Sequence, residues 1–172
     1  LDVKNDTISL IDEKKINQPE EELQNVNRTL LASHARVKRF SGNVPYLLIP
    51  AGEGYQKAIH GGTTKFFQSN ESGRPLQGVE IKSSSKQDVK AIHNGVVAFI
   101  AEDFSGYGRS IMIASSRSEV FFIYGINSIS VKIGDVVNKG GSIGSVNSGQ
   151  ILGIKILRKG IFQDPGKIIP GL

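Results

Sequence analysis

The chain has 172 residues, 38% of them hydrophobic, with no cysteine and a formal net charge of +5. That length suits one domain of ordinary size with extensions, and the slightly low apolar content assigns part of the chain to a tail. Disulfides and thiolate metal sites are excluded, and no apolar run approaches the ~20 residues of a membrane span.

The charge is unevenly spread. Residues 1–22 carry seven of the 16 acids and three of the 21 bases, which leaves the rest of the chain at +9. Residues 1–18 therefore read as an acidic tail, either solvated or folded back on a basic body or a partner. Within the tail, Ile8 to Ile11 is one short apolar alternation, a lone strand or an unstructured stretch. The chain starts at Leu1 rather than Met, so we expect a processed precursor or a trimmed chain whose export signal has been removed. A basic body suits anionic envelope polymers or nucleic acid. The interleaved basic and aromatic residues of a nucleic-acid module are missing, which counts against the second.

The clearest helix signal comes next. Asn17 or Gln18 stands at the cap, Pro19 suits the first turn, and Glu20, Glu21 and Glu22 complement the positive end of the helix dipole. Leu23, Val26, Leu30, Val37 and Phe40 recur on one face. Arg36, Lys38 and Arg39 occupy the last turn before Ser41-Gly42, so the pattern predicts an amphipathic helix over 19–41. Its stripe packs on its own domain or is offered to a partner.

From Asn43 onward the periodicity is that of strands, giving a β domain over 43–172. Val44 to Pro50 is apolar but bracketed by prolines, a lead-in or edge strand. Short strands follow at Thr63–Phe67, Gly78–Ile81, Val89–Ile100, Ser110–Ala114, Val120–Ile126 and Ile151–Leu157. Val89–Ile100 turns back on itself at Asn94-Gly95, a hairpin signal. Val131 to Val146 is a compact unit of strands at Val131–Ile133, Val136-Val137 and Ile143, separated by turns at Gly134-Asp135 and Lys139-Gly140-Gly141. These two stretches form the halves of one β-core. The fold class is mainly β, an antiparallel sandwich or barrel-like core preceded by one amphipathic α-helix.

Five pieces of this β region, in order, resemble the LytM/lysostaphin-type zinc metallopeptidase domain of bacterial envelope proteins. They are Gly73 to Ile81, Val89 to Val97, Gly106-Tyr107-Gly108-Arg109-Ser110-Ile111-Met112-Ile113, Val131 to Gly144, and Leu152 to Ile156 with Asp164-Pro165 after it. The resemblance as a whole covers 73–169. The resemblance implies the zinc positions of that family. Its His-x-x-x-Asp falls on Leu76 and Glu80, its separate His on Gly125, and its His-x-His on Ile151 and Gly153. Zinc needs three protein donors and an open position for water. Leu76, Gly125, Ile151 and Gly153 offer no side-chain donor, so we expect no metal, no cofactor and no catalytic residue. His34, His60 and His93 make no ligand spacing; a relocated site of Glu80 with His60 or His93 is the remaining enzymatic reading.

Members with degenerate sites resemble activators of cell-wall amidases and scaffold proteins of cell division. The resemblance thus implies an inactive, exported, periplasmic or envelope-associated binding module, whose partner is a wall hydrolase or another envelope protein. Direct binding to peptidoglycan is the alternative. The groove left by the metal would have Leu76, Glu80, Gly125, Ile151 and Gly153 on its floor and Tyr107, Arg109 and Tyr124 on its rim, a floor greasier and roomier than the parent site. The 19–41 helix would cover this groove or meet the partner.

Overall fold

A computed structural model describes residues 54–70, 73, 75–104, 106–116 and 119–172. The acidic tail, the 19–41 helix with Leu23, Val26, Leu30, Val37 and Phe40, and the stretch 44–50 lie outside them. The described chain is built from eleven strands: β1 (Gly61–Lys65), β2 (Val79–Ser83), β3 (Gln87–Lys90), β4 (Gly95–Ala101), β5 (Ser110–Ser116), β6 (Glu119–Tyr124), β7 (Ser128–Ile129), β8 (Val136–Val137), β9 (Ser142–Val146), β10 (Ile151–Arg158) and β11 (Ile161–Gln163). One helical turn, α1 (Pro165–Ile168), follows. It starts where the Asp164 carboxylate accepts from the Gly166 amide at 2.8 Å, with Pro165 at its first position.

The strands form two antiparallel sheets. The large one runs β1-β2-β10-β6-β5-β4-β8, with β11 alongside the end of β10; the small one runs β3-β9-β7. Val89, Ile143 and Val146 of the small sheet pack against Ile81, Ile111, Ile113, Phe121, Ile123, Leu152 and Ile154 of the large one. The opposite, outer face of the large sheet carries a second apolar layer of Met112, Ala114, Phe122, Tyr124 and Leu157, roofed by Phe104, Tyr107 and Phe162. Central strands buried on both faces read as continuous apolar runs instead of alternating ones. This is why Ser110–Ala114, Val120–Tyr124 and Ile151–Leu157 are so plainly visible in the sequence.

The two stretches expected to form one core do pair strand for strand, β3 with β9 and β4 with β8. The Asn94-Gly95 hairpin does not form. β3 and β4 enter different sheets, and the dipeptide is a corner between them. Asn94 is engaged elsewhere: its side-chain oxygen accepts from the Lys139 amide at 2.7 Å. Gly95 is needed for close approach, since a Cβ there would stand 2.6 Å from Ile113 and 2.8 Å from the Ala114 carbonyl oxygen. The strand expected at Val131–Ile133 is instead a turn, closed by the Asp135 amide donating to Lys132 O and the Lys132 amide donating to the Asp135 carboxylate. The strand expected at Thr63–Phe67 is shifted to Gly61–Lys65. A turn in which the Ser69 amide bonds Phe66 O ends it and leaves Phe66 62% exposed.

Candidate functional site

The register of the large sheet sets Lys65, Glu80, Gly153, Tyr124 and Ser110 side by side across β1, β2, β10, β6 and β5. Cross-strand neighbours share a face, so these residues meet on the outer face. Gly153 has no side chain, and the ring of Tyr124 lies over it. A Cβ at position 153 would come within 1.9, 2.2 and 2.3 Å of three ring carbons. From there the Tyr124 hydroxyl donates to Glu80 Oε2 at 3.0 Å, while Glu80 Oε1 stands 3.7 Å from Lys65 Nζ. Burial, then the Glu80 charge, pushes the Tyr124 phenol well above its usual range, so it stays a neutral donor.

Two residues beyond Gly153 on the same face is Lys155, 2% exposed. Its stem passes Gly78, where a Cβ would stand 2.8 Å from Lys155 Cγ. Its ammonium donates to the Tyr107 hydroxyl at 3.1 Å and lies 4.8 Å from the centre of that ring, with Tyr124 and Phe162 at 5.9 and 5.7 Å. Burial brings its pKa down to about 7. The Tyr107 and Tyr124 rings are 4.8 Å apart. Tyr107 comes from the β4–β5 loop, which is held in shape by hydrogen bonds. Arg109 donates to Glu102 at 2.8 Å and to Asn127 O, Gly108 N to the Asp103 carboxylate at 3.1 Å, and Tyr107 N to Phe104 O at 2.9 Å. Glu102 and Asp103 are both exposed carboxylates, and they fasten this loop.

The expected site residues thus separate into groups. Glu80, Gly153, Tyr124 and Tyr107 come together. Tyr124, expected on the rim, is buried, 6% exposed. Ile151, expected on the floor, is 40% exposed at the open end of β10, in register with Lys82. Gly125 ends β6 at φ 79°, with its carbonyl accepting from Gln150 Nε2 at 2.7 Å. Leu76 is half-buried in the loop before β2, its backbone bonded to Gln68 and Ser69. Arg109 spends its guanidinium on Glu102 and Asn127. The roomy floor is not there at Gly153, because Tyr124 has filled it. Lys155 was missed, although a lysine inside Ile151–Leu157, a strand apolar on both sides, is a readable signal of a buried charge.

These positions do not fit a zinc ion. Of Leu76, Glu80, Gly125, Ile151 and Gly153, one carries a ligating group, and that carboxylate faces Tyr124 and Lys65. Among the described residues, no three His, Asp or Glu side chains are grouped to hold a metal. His93 bonds Gly54 O at 2.7 Å and packs on Tyr55 and Phe121, on the face of the sheet opposite Glu80.

The family described as Peptidase family M23 matches residues 74–165. No curated protein matches the chain. Among solved structures, Csd3 of Helicobacter pylori superimposes with a TM-score of 0.62 at 20% identity, over 71% of this chain and 36% of that one. The present chain therefore spans about a third of Csd3. A chain of the SpoIIQ–SpoIIIAH pore-forming complex gives 0.59 at 16% identity, over 69% of this chain and 92% of that one. The catalytic domain of the prophage-encoded M23 protein EnpA from Enterococcus faecalis, in a mutant form, gives 0.53 at 17% identity, over 68% and 93%.

Proposed function

Because the chain belongs to peptidase family M23, we propose that it is a member whose reaction centre has been rebuilt for binding. In this reading it is a catalytically inactive LytM-type domain of the bacterial envelope, exported to the periplasm or wall side. There it recruits or activates a cell-wall hydrolase, or holds an envelope or division scaffold together. One observation carries the reading: the Tyr124 ring occupies the space over Gly153 and its hydroxyl engages Glu80. A hydrolytic metal site needs donors and an open water position there; this site has an aromatic plug. The rebuilt face sets Tyr107 and Ile151 beside Lys65, Glu80 and Lys82, a mixed apolar and charged surface suited to a protein segment. A fold neighbour that sits in a two-protein pore-forming complex supports the same reading.

Direct binding to peptidoglycan is the competing reading, favoured by the +9 balance of residues 23–172. A two-arm assay separates them. The zinc-supplemented chain is incubated with purified sacculi, alone and with an envelope amidase. The proposal expects no solubilised wall from the chain alone, little sedimentation with sacculi, and faster release when the amidase is present. Tyr107→Ala should lose that stimulation. Wall release by the chain alone would refute inactivity, and stoichiometric co-sedimentation with sacculi would favour the competing reading.

A further inference from the structure

Among the described residues β1 is the outermost strand of the large sheet, so one of its edges faces away from β2. The Ser84 amide donates to His60 O at 3.1 Å, and the register then runs Gly61 to Ser83, Gly62 to Lys82 and Thr63 to Ile81. In an antiparallel ladder alternate residues bond alternate sides. Position 60 bonds inward, as does Gly62, while the N–H and C=O of Gly61 and Thr63 point to the open edge. Ser83, the partner of Gly61, obeys the same alternation by bonding Gln150 and Gly149 on its far side. Gly61, Gly62 and Thr64 are exposed. Among the described residues no proline and no covering strand protects Gly61 to Thr63; the irregularity between Thr63 and Lys65, and the lysine itself, blunt only the far end of the strand.

The two faces beside the edge differ in chemistry. On the inner face, Thr63, Phe66, Phe67, Val79 and Leu172, together with the charged Asp164 and Lys167, line a cavity of about 220 Å³. Phe66 stands at its mouth, 62% exposed. On the outer face the side chain in register with Gly62 is the exposed Lys82. Because Gly62 has no side chain, a residue on an added strand would look straight across to Lys82, two inter-strand spacings or about 9.5 Å away between strand axes. That is within reach of a lysine facing a glutamate.

We propose that the β1 edge is a strand-addition site for an extended segment of a partner protein that alternates apolar and acidic residues. Its backbone pairs with Gly61 and Thr63. Its apolar side chains enter the cavity beside Phe66, and its acids face Lys82. The proposal stands on the edge alone, apart from the Tyr124 plug, and holds whether or not the chain hydrolyses anything.

The test uses the full chain and two synthetic eight-residue probes, alternating Val-Glu and alternating Val-Lys, followed by amide hydrogen exchange and by titration of backbone amide resonances. The expected result is at least tenfold slower exchange at Gly61 and Thr63 with the Val-Glu probe, and at least tenfold weaker binding of Val-Lys. Thr63→Pro removes an outward N–H without touching the β2 ladder, so it should abolish binding while leaving the melting temperature within a few degrees. Lys82→Glu should reverse the probe preference. Equal binding of both probes, or no protection at Gly61 and Thr63, would overturn the proposal. So would protection in the free chain that vanishes on deleting residues 1–18, which assigns the edge to the chain's own acidic segment. Protection that rises with protein concentration assigns it to a second copy and overturns the proposal equally.

Discussion

Replacing Gly153 by alanine is the sharpest perturbation of the plugged site. The new methyl would stand about 2 Å from three carbons of the Tyr124 ring (1.9–2.3 Å), so the ring must leave its seat. It is wedged by Tyr107 at 4.8 Å and Phe122 at 5.4 Å between centroids, so there is little room to give. Overpacking of this kind costs ~1–3 kcal/mol. Displacing the hydroxyl from Glu80 adds about 1 kcal/mol, below the ~1.5–3 kcal/mol of a bond to a buried charged group, because Glu80 is partly solvated. Gly153→Ala should therefore destabilise by ~2–4 kcal/mol, a fall of roughly 5–15 °C in melting temperature. Urea unfolding followed by circular dichroism measures it. The decisive comparison is a double-mutant cycle. Tyr124→Ala alone should cost ~3–5 kcal/mol, but in that background Gly153→Ala should change stability by less than ~0.5 kcal/mol, since the clash is gone. An equal cost in both backgrounds would refute the packing argument.

Other perturbations have defined signs. Lys155 is protonated in the unfolded chain up to about pH 10 but loses its proton near 7 when folded. The unfolded state therefore binds more protons between these values, and stability should climb from pH 7 to 9.5 by up to ~1 kcal/mol per unit relative to Lys155→Met; identical pH profiles would contradict it. Glu119 accepts from Ser115 at 2.5 Å, from Arg158 at 2.6 Å and from Tyr55 at 3.1 Å. Burial raises its carboxyl, but these bonds and the Arg158 charge outweigh it and hold the group below its usual range. Its contribution is present above the ordinary glutamate value of 4.5 and lost as pH falls through the lowered folded value. Glu119→Gln should remove ~1–3 kcal/mol at pH 7, flatten the acid limb of the stability curve and speed exchange of the Gln56 amide, which bonds Ile92 O at 3.0 Å. Gly125→Ala should cost more than ~1 kcal/mol, because φ is 79° and a Cβ would stand 2.5 Å from Ile151 O; thermal melts within 1 °C of the parent would rule this out.

Much of the fold is legible in the chain. Runs such as Ile111-Met112-Ile113-Ala114 announce strands buried on both faces, and the Val79/Ile81 alternation with Glu80 and Lys82 announces a strand between core and solvent. Asn94-Gly95 misled because that dipeptide serves two geometries. Its hairpin use needs positive φ, whereas here Gly95 supplies clearance and Asn94 a capping oxygen for a distant loop. The site residues Glu80, Gly153, Tyr107 and Tyr124 are readable from motif positions, but their roles are not. Whether Tyr124 lines a rim or crosses the strand to fill a glycine's space depends on register between β6 and β10, set by contacts 29 residues apart along the chain. Lys155 follows the same logic: the sequence shows a charge in an apolar strand, and packing decides that two tyrosines and a phenylalanine receive it.

The inactive reading stands or falls on zinc content. The full chain, purified without chelator and dialysed against zinc and then against metal-free buffer, is measured by mass spectrometry beside its Glu80→Gln variant. Far less than one zinc per chain is expected for both. One zinc per chain, lost on Glu80→Gln, would contradict it and return the Glu80–Tyr124 site to metal chemistry.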